Sequence, residues 1–271
     1  MAKLVDLRLC EQAQLWFPNL AAQLVFHFMS RRELDRDLFD QYGTSRWLAR
    51  DTEGLAPNGG NIRIGPHTAR IEYLPDKTAA RFGGLHFADD HEPQLLEQIQ
   101  AAADLLTQVP GMADAVGSVV KSIHPLRALT DHDVSHSTPE LPFSVFVSIP
   151  EMGERDASLR VAESLIHESM HLQLTLLDSI EPLVVDDHIA GYSPWKNELR
   201  PLTGLLHGLY VFAVIHQALG VLMGVNYDWR EYCRKRNSAI EGEIASLSEA
   251  PDGLTEVGMA LWRRCRKSIA A

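Results

Sequence analysis

The chain has few cysteines and no extended basic stripe, and these shortages argue against several classes of protein. Its three cysteines, Cys10, Cys233 and Cys265, lie far apart among 271 residues. An odd number at such spacing forms neither a disulfide framework nor a metal-binding pattern, so we expect a reducing, cytoplasmic environment. The formal net charge is −11 and no basic stripe is present, which argues against nucleic-acid binding.

The sequence also shows no signal-peptide cleavage pattern, internal repeat or low-complexity tract. Residues 12–30 carry no Asp, Glu, Lys or Arg, but they contain several polar residues and no cleavage pattern. We therefore interpret this stretch as a core helix and expect no membrane partner. Hydrophobic residues make up 45% of the chain and charged residues 23%, which is typical of a soluble globular protein.

The hydrophobic pattern predicts a mainly helical α+β protein with a zincin-like metal helix beside a small β-sheet. A soft boundary at Pro110-Gly111 divides a helical N-terminal region with a small hairpin, residues 1–110, from a metal-binding catalytic region, residues 111–271. A single continuous domain is the alternative. Two helices are expected within residues 4–42, broken near Pro18 and again near Ser30. Further helices are expected at residues 92–108, 112–123, 157–177 and 200–223 and twice in 227–271, with a hairpin around Gly65-Pro66 and a strand at 143–149.

The central motif is His167-Glu168-Ser169-Met170-His171, of the form H-E-x-x-H. In an α-helix, residues four apart share a face, so both imidazoles can bind one ion. Glu168 lies about 100° round the helix, where it can hydrogen-bond a metal-bound water. The surrounding leucines predict a buried helix, in which polar side chains must be ligated or paired. Histidines hydrogen-bonded within the core remain the alternative.

A third metal ligand must come from outside this motif. His207 is the candidate, because it lies on the helix predicted to open at Arg200-Pro201, and Gly204 and Gly208 allow close approach there. A core histidine is the alternative at this position. On that predicted helix Arg200 and His207 are seven residues apart and share a face.

Two further residues are candidates for contacts around the metal or substrate. Asp178 follows His171 by seven residues on the same helix face, where it could accept an imidazole N–H. His136 lies in a polar segment, residues 130–138, just before the predicted strand. It is a candidate to contact metal or substrate, and a plain polar loop is the alternative.

Four short segments together are more specific than the metal motif alone. They are an S-x-S before the strand, L-I-H-E-S-M-H, S-P-W-K and R-P-L-T-G-L-L-H-G-L-Y. The combination resembles the H-E-x-x-H motif-containing proteins of peptide natural-product gene clusters, a family of iron(II)- and 2-oxoglutarate-dependent peptide β-hydroxylases. The resemblance covers roughly residues 135–212, about the central third of the chain. Lys196 stands where the family pattern has an arginine, which keeps the charge but loses a bidentate fork.

The resemblance implies an oxygenase that uses Fe(II), 2-oxoglutarate and O₂ to hydroxylate a side-chain β-carbon of a ribosomally made precursor peptide. His167, His171 and His207 then match the metal ligands, and Arg200 matches the cation for the distal carboxylate of 2-oxoglutarate. Three nitrogen ligands leave open positions for a bidentate 2-oxo acid and dioxygen. Glu168 would orient a ligand or water, and Tyr210, which ends the last segment, is a candidate to contact substrate.

Two alternatives stay open. The first is a zinc metallopeptidase in which Glu168 is the general base toward a Zn(II)-bound water. Against it, residues 172–177 offer only Leu, Gln and Thr, so the H-x-x-G-x-x-H extension is absent. The second is a non-catalytic helical protein that binds a peptide. The sequence fixes neither the oligomeric state nor the peptide.

Overall fold

A computed structural model describes residues 14–31, 58–74, 80–82, 84–88, 93–128, 133–138, 141–151, 153–188, 190–247, 249 and 251–269. This part of the chain contains seven α-helices, a five-stranded sheet and a two-stranded sheet, so the predicted mixed, mainly helical α+β class is confirmed. The chain forms two compact units. One unit is Pro18–Leu172. The other combines the residues that precede Pro18 with those from Gln173 onward. The predicted boundary at Pro110-Gly111 lies inside the first unit.

The unit Pro18–Leu172 contains the large sheet and four of the helices. In chain order its elements are α1 (Pro18–Arg31), β1 (Asn58–Ile64), β2 (His67–Glu72), α2 (Pro93–Leu106), α3 (Met112–Val119), β3 (Ser122–Arg127), β4 (Ser135–Thr138), β5 (Leu141–Ile149) and α4 (Ala157–Asp178), of which the last six residues belong to the other unit.

The five strands lie in the order β1-β2-β3-β5-β4, with β4 at one edge. Strands β2, β3 and β5 run parallel, whereas β1 and β4 are antiparallel to their neighbours. The predicted hairpin is confirmed, and its turn places Gly65 at φ 58°, a conformation that favours glycine. The described side chains of β5 are buried on both faces, as expected of an inner strand.

Two strand assignments differ from the sequence prediction. The helix predicted to reach residue 123 ends at Val119, and β3 begins at Ser122. Pro125 argues against a central strand in the sequence, because proline cannot donate to a ladder. The Pro125 carbonyl accepts from Ala88 N–H on the side away from β5, beyond the two residues of β3 that pair with β2. Because the N–H and C=O of a strand residue point to the same side, the N–H that proline lacks would not have bonded to β5. The polar segment expected to be a loop contains β4.

The other unit contains a small hairpin followed by three helices. Its elements are β6 (Ala190–Ser193), β7 (Glu198–Pro201), α5 (Leu202–Val225), α6 (Arg230–Ala245) and α7 (Glu256–Ile269). Helices α6 and α7 pack against α5, which is apolar nearly all round. By length and composition alone α5 could cross a membrane, with hydropathy 1.8, but 56% of that window is buried inside the protein. Core helices of soluble proteins pass the same test.

The start of α5 corrects one further prediction. The helix begins at Leu202, and Arg200 lies in strand β7 instead of on the first helical turn. Arg200 and His207 therefore do not share a helix face.

Candidate metal centre

Helix α4 carries the H-E-x-x-H motif as a helix uninterrupted by proline or glycine. His167 and His171 are one turn apart and half-buried, and their ring centroids are 4.8 Å apart. The two Nε2 atoms approach to 3.2 Å. Either one imidazole donates to the other across this distance, or both lone pairs are directed at one cation.

The separation of these nitrogens fits a shared metal ion. Two metal–nitrogen bonds of about 2.1 Å that meet at about 90–110° put their nitrogens roughly 3.0–3.4 Å apart. The observed 3.2 Å lies within this interval. The spacing of His167 and His171 is therefore compatible with a shared ion, and their role as metal ligands stays a prediction.

Glu168, between the two histidines, is bound by an edge strand of the sheet. Ser135 Oγ donates to Oε1 at 2.7 Å and Ser137 Oγ donates to Oε2 at 2.6 Å. The residue is only 3% exposed, and Oε1 lies 3.8 Å from His167 Nε2. Both serines belong to the S-x-S segment of the resemblance, but a loop was expected there, so their contact with Glu168 was not predicted.

An ion pair joins an earlier turn of α4 to the residues just before β4. Arg160 on α4 donates from Nε and Nη2 to the two carboxylate oxygens of Asp133, at 2.8 and 2.7 Å. Arg160 also pairs with Glu154. The hydrogen bonds to these carboxylates, that to Asp133 above all, raise the pKa of Arg160. The surroundings of Arg160 therefore favour its charged form.

His136 does not point toward the histidine pair. It is paired with Phe146 across β4 and β5, whereas Ser135 is paired with Val147, so His136 occupies the opposite sheet face from the serines. Its ring lies 5.8 Å from the Phe146 ring, and partial burial lowers its pKa.

His207 and Asp178 both lie in the unit that resumes at Gln173. Loss of solvation lowers the pKa of His207 to about 4, although the negative charges of Asp178 and Asp187 oppose the shift. The imidazole is therefore neutral at pH 7, the form that binds a metal. Asp178 accepts from Leu183 N–H and Asp187 from Thr203 N–H, both at 2.8 Å.

Arg200 and Tyr210 occupy contrasting environments. The Arg200 side chain is 44% exposed, and its guanidinium donates to Glu198 Oε1 at 3.0 Å. Tyr210 is buried, donates its O–H to Leu15 carbonyl at 3.1 Å and stacks on Phe17. Burial raises the pKa of Tyr210 well above its usual value.

The described residues contain no group of three or more His, Cys, Asp or Glu side chains arranged to hold a metal ion. The identity of a third ligand therefore stays a prediction. A scan against protein-family models finds no match, and a search of curated proteins finds no similar sequence.

Proposed function

We propose that His167 and His171 bind Fe(II) in a cytoplasmic, 2-oxoglutarate-dependent oxygenase that hydroxylates a side-chain β-carbon of a precursor peptide. The observation that carries the metal site is the 3.2 Å separation of the two Nε2 atoms. The reaction class rests on the resemblance over residues 135–212, and the metal geometry agrees with it. A bound Fe(II) would couple the oxidative decarboxylation of 2-oxoglutarate to succinate and CO₂ with hydroxylation of a C–H bond, one atom of dioxygen entering succinate and the other the new hydroxyl group.

The candidate residues have chemistry suited to these roles. His207 offers a neutral imidazole as third ligand, because desolvation holds its pKa near 4. Arg200 offers an exposed, planar donor for the distal carboxylate of 2-oxoglutarate. Its contact with Glu198 is an exposed ion pair, which contributes little and is readily exchanged.

The environment of Glu168 favours the oxygenase over the zinc peptidase. A peptidase base takes a proton from the metal-bound water and passes it to the leaving amine. Each Glu168 oxygen already accepts a serine hydroxyl, so protonation of either oxygen would weaken a buried hydrogen bond. A fixed acceptor that orients a ligand or water fits this setting better.

The proposal is tested by anaerobic addition of Fe(II) to metal-free protein, followed by titration with 2-oxoglutarate in a visible spectrometer. We expect a weak charge-transfer band that saturates, and its loss in His171→Ala. Tight zinc retention without such a band would instead favour the peptidase. Failure to bind any metal would favour a helical peptide-binding protein.

The same titration separates the roles of Arg200 and His207. Arg200→Ala should retain iron and weaken 2-oxoglutarate binding by about tenfold, the loss of one charge-assisted contact. His207→Ala should abolish iron retention, whereas His216→Ala on the same helix, where His216 pairs with Glu241 at 2.9 Å, should not. Full iron occupancy and activity in His207→Ala would show that the third ligand lies elsewhere, with Asp187 and His188 as the next candidates.

A further inference from the structure

The two hydroxyls that reach Glu168 come from alternate residues of the edge strand β4. Ser135 binds Oε1 and Ser137 binds Oε2, at 2.7 and 2.6 Å. Because each hydroxyl holds a different oxygen, a rotation of the carboxylate breaks both bonds together. Burial of Glu168 makes that rotation costly, since water cannot replace the lost donors.

The orientation that results has a direct consequence for the histidine pair. Oε1 is the oxygen near the imidazoles, 3.8 Å from His167 Nε2. Ser135 donates to this same oxygen, so the hydrogen bond holds Oε1 in place relative to His167. Oε2 is held by Ser137.

The strand that supplies the hydroxyls is itself anchored to the helix. Asp133, two residues before Ser135, accepts two hydrogen bonds from Arg160, which is two helical turns before His167. Strand and helix are therefore connected at two places, and the serines have a fixed position relative to Glu168.

We propose that Ser135 and Ser137 are positioning residues that hold the glutamate of the H-E-x-x-H motif as a fixed hydrogen-bond acceptor beside the metal. The serines act through Glu168, which orients a ligand on the metal instead of moving as a proton-transferring base. This inference rests on the proposed metal site and is independent of the co-substrate.

Isosteric substitutions test whether the hydroxyls or merely the side-chain volumes are required. Threonine and valine have nearly the same shape, both suit a strand, and only threonine retains the hydroxyl. The double variants S135T/S137T and S135V/S137V, each in the full-length chain, are compared with the wild-type protein. Co(II) affinity and the visible Co(II) spectrum are measured for all three. We expect the valine variant to lose about 10–100-fold in affinity, as for other residues that support ligands, with a changed spectrum. The threonine variant should restore both properties.

Two further comparisons show whether the effect passes through Glu168. In an E168A background, the valine substitutions should change Co(II) affinity no further, because the group they position is absent. S169A is the matched control, since Ser169 is buried on the same helix but donates to Ile166 carbonyl at 3.0 Å. It should leave affinity and spectrum unchanged.

The result that overturns the positioning role is a valine variant with wild-type affinity and spectrum. Equal losses in the threonine and valine variants would also overturn it, since volume and not hydroxyl would then matter. If the double valine variant fails to fold, S135V and S137V are measured singly, and each should show a partial change. No Co(II) binding by the wild-type protein would overturn the metal site itself, a result distinct from loss of the serine effect.

Discussion

The two faces of the five-stranded sheet each carry a buried polar cluster with a histidine and a glutamate. On one face, Ser135 and Ser137 bind Glu168, next to the half-buried pair His167 and His171. On the other face, His124 lies beside Glu72, and both are fully buried. The same residue types thus occur in two settings of the same unit.

The two settings differ in the groups that lie next to the histidine ring nitrogens. His124 Nδ1 donates to Glu72 carbonyl and Nε2 accepts from Ser144 Oγ, each at 3.0 Å, and the ring stacks on Phe146. Both nitrogens are satisfied without solvent or ligand. In the helix pair, the two Nε2 atoms instead approach one another at a distance that suits a common ion. Burial alone therefore does not distinguish the two clusters, whereas the partners of the ring nitrogens do.

The largest expected effect separates the clusters by metal binding. The double variant His167→Ala/His171→Ala should lose at least about 1,000-fold in Co(II) affinity, because both ligands are removed, a larger loss than removal of a supporting residue causes. Its free energy of unfolding should change little, since both side chains are half-exposed. Competition titration and urea unfolding measure the two quantities. Affinity within threefold of the wild type would exclude this pair as ligands.

The next largest effect is expected for His124 on the other face of the sheet, where substitution should lower stability and leave metal affinity unchanged. His124→Ala should lower the free energy of unfolding by about 3 kcal/mol, because it leaves a cavity and removes the partners of Ser144 and the Glu72 carbonyl. Co(II) affinity should stay within about twofold. Loss of metal binding in this variant with stability retained would show that the two clusters have been assigned the wrong way round.

Acid should destabilise the protein through His124. Burial lowers its pKa in the folded state to about 4, against 6.5 in the unfolded chain, so the unfolded state binds the proton first. The stability held above pH 6.5 is then lost as the pH falls toward 4. Between pH 7 and 5 the wild type should lose about 2 kcal/mol more than His124→Gln, measured by urea unfolding. Equal losses in both proteins would contradict this assignment.

The smallest effect concerns His136. Its side chain contacts the Phe146 ring on an edge strand, and the residue is exposed. His136→Ala should therefore change the free energy of unfolding by no more than about 0.5 kcal/mol and leave Co(II) affinity unchanged. A tenfold loss of affinity would return His136 to the metal site.

Elements with strong periodicity could be predicted from the sequence, and those that depend on distant partners could not. The hairpin around Gly65-Pro66 and helix α4 follow directly from turn residues and from an unbroken apolar stretch. Strand β3 was not predicted, because the helix before it was expected to continue to residue 123, and Pro125 is tolerated in the strand because its missing N–H interrupts no bond to β5.

The candidate site divides in the same way. The pairing of His167 with His171 follows from helical spacing, which needs no tertiary information. The bonds from Ser135 and Ser137 to Glu168 join residues more than 30 positions apart, so local sequence cannot reveal them. Arg200 shows the opposite error, because helical spacing was applied to a residue that lies in β7.

The most direct test of the account is an anomalous difference map from crystals of the protein loaded with Co(II). We predict one strong peak within bonding distance of both His167 Nε2 and His171 Nε2, with Glu168 still bound by Ser135 and Ser137. That map would also identify the remaining ligands. A peak elsewhere, or no peak between these two imidazoles at full loading, would contradict the metal centre.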